Sequence, residues 1–80
     1  MKYTVYDLHQ CNRGEQIQVT LQGSAANVRL MDSSNYSNYK NGRRHNYYGG
    51  LAKRSPIVLT IPRSGHWYVT IDLAGLRGSV

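Results

Sequence analysis

The 80-residue chain holds one cysteine, Cys11, no phenylalanine, two prolines and only four acidic residues. A single thiol excludes an internal disulfide framework, and no paired cysteines offer a zinc-finger spacing. Four acids leave little material for general acid–base catalysis. No G-x-S-x-G, H-E-x-x-H or paired-carboxylate motif is present, and no glycine-rich phosphate fingerprint precedes a helix. These absences argue against an enzyme and against a bound cofactor. No apolar run reaches the length of a membrane span, and the N-terminus has no signal-peptide core. The sequence thus implies no membrane partner, and a lone thiol without an export signal fits the cytoplasm.

Eighty residues make a single domain, 1–80, with a modest core. With no disulfide to brace it, a second copy of the chain is an available staple, so a homo-oligomer is expected. Acid is also absent from one long interval. Residues 1–32 carry Lys2, Arg13 and Arg29 against Asp7, Glu15 and Asp32, which cancel. Residues 72–80 carry Asp72 and Arg77, which also cancel. Lys40, Arg43, Arg44, Lys53, Arg54 and Arg63 lie between, so the whole net charge of +6 comes from the middle of the chain. A field of one sign favours an anionic partner: a nucleotide, a nucleic acid or an acidic protein surface. The plainer reading is solubility and protection of a sheet edge.

What the chain does have is period-two alternation. Ile17, Val19 and Leu21 alternate with Gln16, Gln18, Thr20 and Gln22, and Val28 and Leu30 share a face. Ile57, Leu59 and Ile61 repeat the pattern, and Trp67, Val69, Ile71 and Leu73 alternate with His66, Tyr68, Thr70 and Asp72. A first strand runs through "KYTVYDL". Turn residues bound each run, at Arg13-Gly14, Gly23-Ser24, Gly49-Gly50, Pro56 and Pro62–Gly65. The spacing predicts an all-β domain: a small antiparallel β-sandwich, jelly-roll-like. Its core is expected to hold Ile17, Val19, Leu21, Val28, Leu30, Leu59, Ile61, Trp67, Val69 and Ile71.

Between Asp32 and Ser55 the aliphatic pattern stops, and a structureless loop of that length is unusual in a compact domain. Asn41-Gly42 is the preferred centre of a two-residue type I′ turn. Folding there predicts a projecting hairpin that pairs Lys40 with Arg43, Tyr39 with Arg44, Asn38 with His45 and Tyr36 with Tyr47. Cross-strand tyrosines and edge cations are ordinary stabilisers of such a ribbon. The same ribbon also has the chemistry of a phosphate grip. Arginine offers forked donors and tyrosine offers stacking rings. The ligand-binding candidates are therefore Tyr36, Lys40, Arg43, Arg44, His45, Tyr47, Tyr48, Lys53 and Arg54.

Asp7, His9 and Cys11 sit at alternate positions, as three metal ligands or a Cys–His pair on one strand face would. The turn expected at Cys11–Gly14 and the lack of a fourth ligand argue against it, and no metal is assigned. His66, beside Arg63, reads as an exposed residue at the start of a strand, and Trp67 as a core anchor.

The run "ANVRLMDSSNYSNYKNGRRHNYYGG", followed by "SPIVLTIPRSGHWYVTIDLAG", resembles a bacterial family of short domains of unknown function, number eighteen-eighty-three in that series. The likeness covers nearly the whole chain and implies a compact all-β fold. Some relatives carry the domain joined to a TIR module of immune signalling, which implies a place near defence or signalling by association alone. The resemblance brings no catalytic residue. The expected function is a non-catalytic module that binds a phosphorylated ligand, nucleotide or nucleic acid. The alternative is a protein-interaction or self-assembly module linked to bacterial defence or signalling.

Overall fold

A computed structural model describes residues 3–21 and 25–73. Six strands and one helix follow one another: β1 (Tyr3–Cys11), β2 (Gln16–Val19), β3 (Ala26–Asp32), α1 (Ser33–Lys40), β4 (Tyr48–Ala52), β5 (Ile57–Thr60) and β6 (Gly65–Asp72). All pairings are antiparallel. A four-stranded sheet has the order β1-β6-β3-β4, and β2 and β5 form a two-stranded sheet. The all-β expectation is met. The described residues show six strands, against the eight of a jelly roll.

Alternation explains the packing between the sheets. Trp67 and Val69 of β6, Val28 and Leu30 of β3, and Leu59 and Ile61 at β5 are buried in one cluster with Cys11. Ile17, Val19, Leu21 and Ile71 are half-buried against it. Thus every expected core residue packs in or on the cluster. Trp67 is 1% exposed, and its indole N–H donates to the Arg63 carbonyl at 2.9 Å, so its burial strands no polar atom.

The opposite face of the large sheet is not bare. Thr70 and Asp72 are buried there, and Tyr68 lies against Tyr36 of α1 with ring centroids 4.3 Å apart. Asp72 accepts from Asn27 Nδ2 at 2.9 Å, from Arg29 at 2.5 Å and from the Tyr39 hydroxyl at 2.5 Å. Burial, and then the Asp72 carboxylate, push the Tyr39 phenol well above its ordinary value. The architecture is therefore layered as helix, four-stranded sheet and two-stranded sheet.

The expected hairpin at Asn41-Gly42 is not formed; its first half is α1. Asp32 is the N-cap, with its carboxylate accepting from the Asn35 amide at 2.9 Å. Asn41 is the C-cap, and Gly42 follows at φ 72°. The Gly42 amide donates to the Tyr39 carbonyl at 3.2 Å and the Arg43 amide to the Asn38 carbonyl at 2.7 Å, the bond pair of a Schellman motif. Gly42 does need a positive φ, but to close a helix. The inward face of α1 is made of Tyr36 and Tyr39, three apart, so no aliphatic periodicity announced it.

β1 also departs from regularity. Asp7 pairs with Tyr68 and His9 with Trp67, so Leu8 is an extra residue, a β-bulge. The inserted residue shifts the phase of the strand. Leu8 and Cys11, three apart, consequently both pack on the core. His9 takes up the irregularity at φ 58°, in the left-handed region. Asp7, His9 and Cys11 thereby share no single face, because Cys11 turns inward.

Candidate functional site

The loss of the ribbon redistributes the candidate residues. Tyr36 is half-buried, stacked on Tyr68, with its hydroxyl 3.3 Å from that of Tyr3. That bond first, and then burial, raise the Tyr3 phenol. Lys40 sits in the last turn of α1, where a cation suits the negative end of the helix, with Nζ 5.8 Å from the Tyr36 ring centroid. Arg43 and Arg44 follow the cap and are exposed. His45 is tucked back, its Nδ1 donating to the Arg43 carbonyl at 2.9 Å and its ring edge-on to Tyr39 at 5.1 Å. Tyr47 carries the Arg29 guanidinium over its ring at 5.0 Å. Tyr36, His45 and Tyr47 are thus engaged in holding α1 and the segment after it on the sheet.

Strand register decides which cations share an end of the molecule. α1 starts at Ser33, directly after β3 finishes, and runs back along the sheet until Tyr39 reaches Asp72. Asp72 pairs with Asn27, near the start of β3. Lys40, Arg43 and Arg44 therefore emerge at the β3-start end. Ala52 pairs with Ala26, so Lys53 and Arg54, which follow β4, emerge at the same end. Among the described residues no ion pair joins Arg43, Arg44, Lys53 or Arg54 to an acid.

The acids lie elsewhere. Asp7 pairs with Tyr68, Asp32 with Trp67, and Glu15 lies in the turn between β1 and β2, all toward the far end. Asp72 is the one acid at the basic end. Its side chain is fully buried and held by Arg29. Asp32 pairs with Arg63. Partial burial would raise the Asp32 carboxyl, but hydrogen bonds from Asn35 and Arg63 outweigh it and leave the group below its ordinary value. The Asp7 carboxyl is also lowered, first by the His9 backbone amide and, against the cost of desolvation, by His66.

A cavity of about 330 Å³ opens at this far end, lined by Asp32, Asn35, Asn46, Tyr47, Tyr48, Arg63 and Trp67 with Leu30 and Met31. It collects two of the expected tyrosines. Its guanidinium, that of Arg63, is however neutralised by Asp32, and Lys40, Arg43, Arg44, Lys53 and Arg54 lie at the opposite end of the sheet. The sequence reading offered the nine residues as candidates on and beside one hairpin. The structure places Tyr48 and Tyr47 at the cavity and the five cations across the molecule. Arg63 and Asn46 are cavity residues that sequence reasoning did not select. Arg63 was visible as an isolated cation, but Asn46 carried no signal.

Fold and surface together define a small, mostly β domain with a covered sheet and a polarised charge distribution. Over residues 1–80 the chain matches the family model described as Domain of unknown function (DUF1883), and it belongs to that family. No curated protein and no solved structure matches it. Among the described residues no helix is long and apolar enough to cross a membrane.

Proposed function

We propose that the domain is a non-catalytic binding module whose basic end takes a phosphorylated, extended anion, a nucleic acid in preference to a mononucleotide. The observation that carries this reading is the segregation of charge. Lys40, Arg43, Arg44, Lys53 and Arg54 emerge at one end, and the exposed acids lie toward the other. A cation with no acid partner keeps its whole field for a ligand. These residues sit on an exposed helix end and two loops rather than lining the cavity, which suits a polymer laid across them better than a small molecule enclosed by them. Free side chains of arginine supply the forked donors that phosphate accepts.

The test is fluorescence anisotropy with labelled single-stranded oligonucleotides and with mononucleotides at several salt concentrations. Affinity for the oligonucleotide should fall steeply as salt rises, and Arg43→Gln with Arg44→Gln should weaken it at least tenfold while leaving the melting temperature within about 2 °C, since exposed cations contribute little to folding. Binding that ignores both salt and the double substitution refutes the proposal. Reversible dissociation of the protein on dilution, with no oligonucleotide binding, would instead assign the basic end to self-assembly.

A further inference from the structure

We infer that Asp7, His9 and His66 form a binding site for a divalent transition-metal ion, with Zn²⁺ as the reference ion. One donor atom from each of the three lies within 4.8 Å of the other two. Asp7 Oδ1 is 2.6 Å from His66 Nε2 and 3.6 Å from His9 Nδ1. A tetrahedral ion with bonds of about 2.0–2.2 Å holds its ligand atoms roughly 3.3–3.5 Å apart, so the present separations bracket what the ion requires. Small side-chain rotations suffice, and the ion replaces the hydrogen bond between Asp7 and His66. Two imidazole nitrogens and one carboxylate oxygen make a borderline donor set that suits zinc, copper, nickel or cobalt better than calcium or magnesium. Three protein ligands leave at least one position for water.

The site is independent of the anion-binding reading and lies toward the other end of the sheet. Three features of the fold assemble it. The bulge at Leu8 keeps Leu8 and Cys11 on the core and turns the strand between them outward. His9 absorbs that turn at φ 58°, a strained conformation for a non-glycine residue and one that recurs where a side chain must be aimed. The His9 amide then donates to Asp7 Oδ1 at 2.8 Å, fixing the carboxylate. Across the ladder, the His66 ring lies nearly parallel to that of Tyr68, with centroids 4.8 Å apart and planes at 14°, and Tyr68 in turn stacks on Tyr36. Both the carboxylate and one imidazole are thus oriented by neighbours before any ion arrives. Cys11, which the sequence groups with Asp7 and His9, is buried with Sγ directed at the carbonyls of Leu8 and His9, and takes no part.

The test is a Zn²⁺ titration against a chromophoric chelator at fixed pH, with Co²⁺ loading followed by visible and near-ultraviolet absorption. Wild-type protein should take up one ion per chain, and its melting temperature should rise with free zinc. His66→Gln should weaken uptake at least tenfold, and so should His9→Asn, which keeps a residue tolerant of positive φ and so preserves the bulge. His45→Gln and Cys11→Ala should leave the affinity unchanged, and Co²⁺ should show no thiolate charge-transfer band. Absence of uptake by the wild type overturns the proposal. So does uptake that survives His9→Asn, that disappears with Cys11→Ala, or that brings a thiolate band.

Discussion

Removing the Tyr39 hydroxyl tests whether α1 covers the large sheet. Tyr39 is 3% exposed and its hydroxyl donates to Asp72 at 2.5 Å, in a site where the Asp72 side chain has no exposure. A hydrogen bond to a charged group is worth about 1.5–3 kcal/mol. Tyr39→Phe keeps the ring and its packing, and Arg29 and Asn27 still compensate the carboxylate. The loss should therefore fall within that range and not reach the larger penalty of an uncompensated buried charge. At about 4–8 °C per kcal/mol for a domain of this size, the melting temperature should drop by roughly 6–24 °C. Total stability for 80 residues is on the order of 4–12 kcal/mol, so the variant should still fold. Urea melts of the wild type, Tyr39→Phe, Asp72→Asn and the double variant measure the coupling directly. Absorbance during alkaline titration gives a second readout. Tyr39 should stay protonated when the exposed tyrosines ionise. Because its folded value is raised, the stability it contributes is intact below the unfolded value of 10.0 and is lost as pH climbs beyond it. A Tyr39→Phe variant as stable as the wild type, together with a wild type whose seven tyrosines all ionise together, would refute the helix-on-sheet arrangement.

Gly49 and Gly50 provide a graded test of the β3–β4 ladder. A Cβ at Gly49 would lie 2.5 Å from the Val28 carbonyl oxygen on the neighbouring strand, at φ 105°, whereas at Gly50, φ 142°, nothing lies within 4 Å. Gly49→Ala should thus cost a strain of about 1–2 kcal/mol plus about 1–3 kcal/mol of overpacking, and Gly50→Ala only the strain, as read by urea denaturation. Equal losses would place β4 elsewhere. Asp32 makes a pH prediction. Its folded value lies below its ordinary 3.8, so its stabilising contribution is present above that value and is lost as the pH falls through the depressed one. Wild-type melting temperature should fall more steeply below pH 4 than that of Asp32→Asn, and parallel profiles would show that the cap and the Arg63 pair do not matter.

The sequence by itself determined strands β2, β3, β5 and β6 and the face each turns to the core. Period-two alternation is a local property, and burying Val28, Leu30, Leu59, Ile61, Trp67 and Val69 together is the only way those faces leave water. It also determined that Gly42 needs a positive φ and that all uncompensated charge comes from the middle of the chain. What it left open was the partner of each local signal. Asn-Gly serves a hairpin turn and a helix cap equally well. Choosing between them depended on Asp32 capping the other end and on Tyr36 and Tyr39 finding a sheet face to cover. The bulge at Leu8 was likewise invisible, since alternation assigns Cys11 to the face of Asp7 and His9 until the core claims its thiol. His66 meets Asp7 across 59 residues of sequence, and the five cations come to one end from a helix terminus and two separate loops. Such groupings are set by strand register and by the direction in which the helix runs back over the sheet. Both are decided by long-range packing, and no local pattern encodes them.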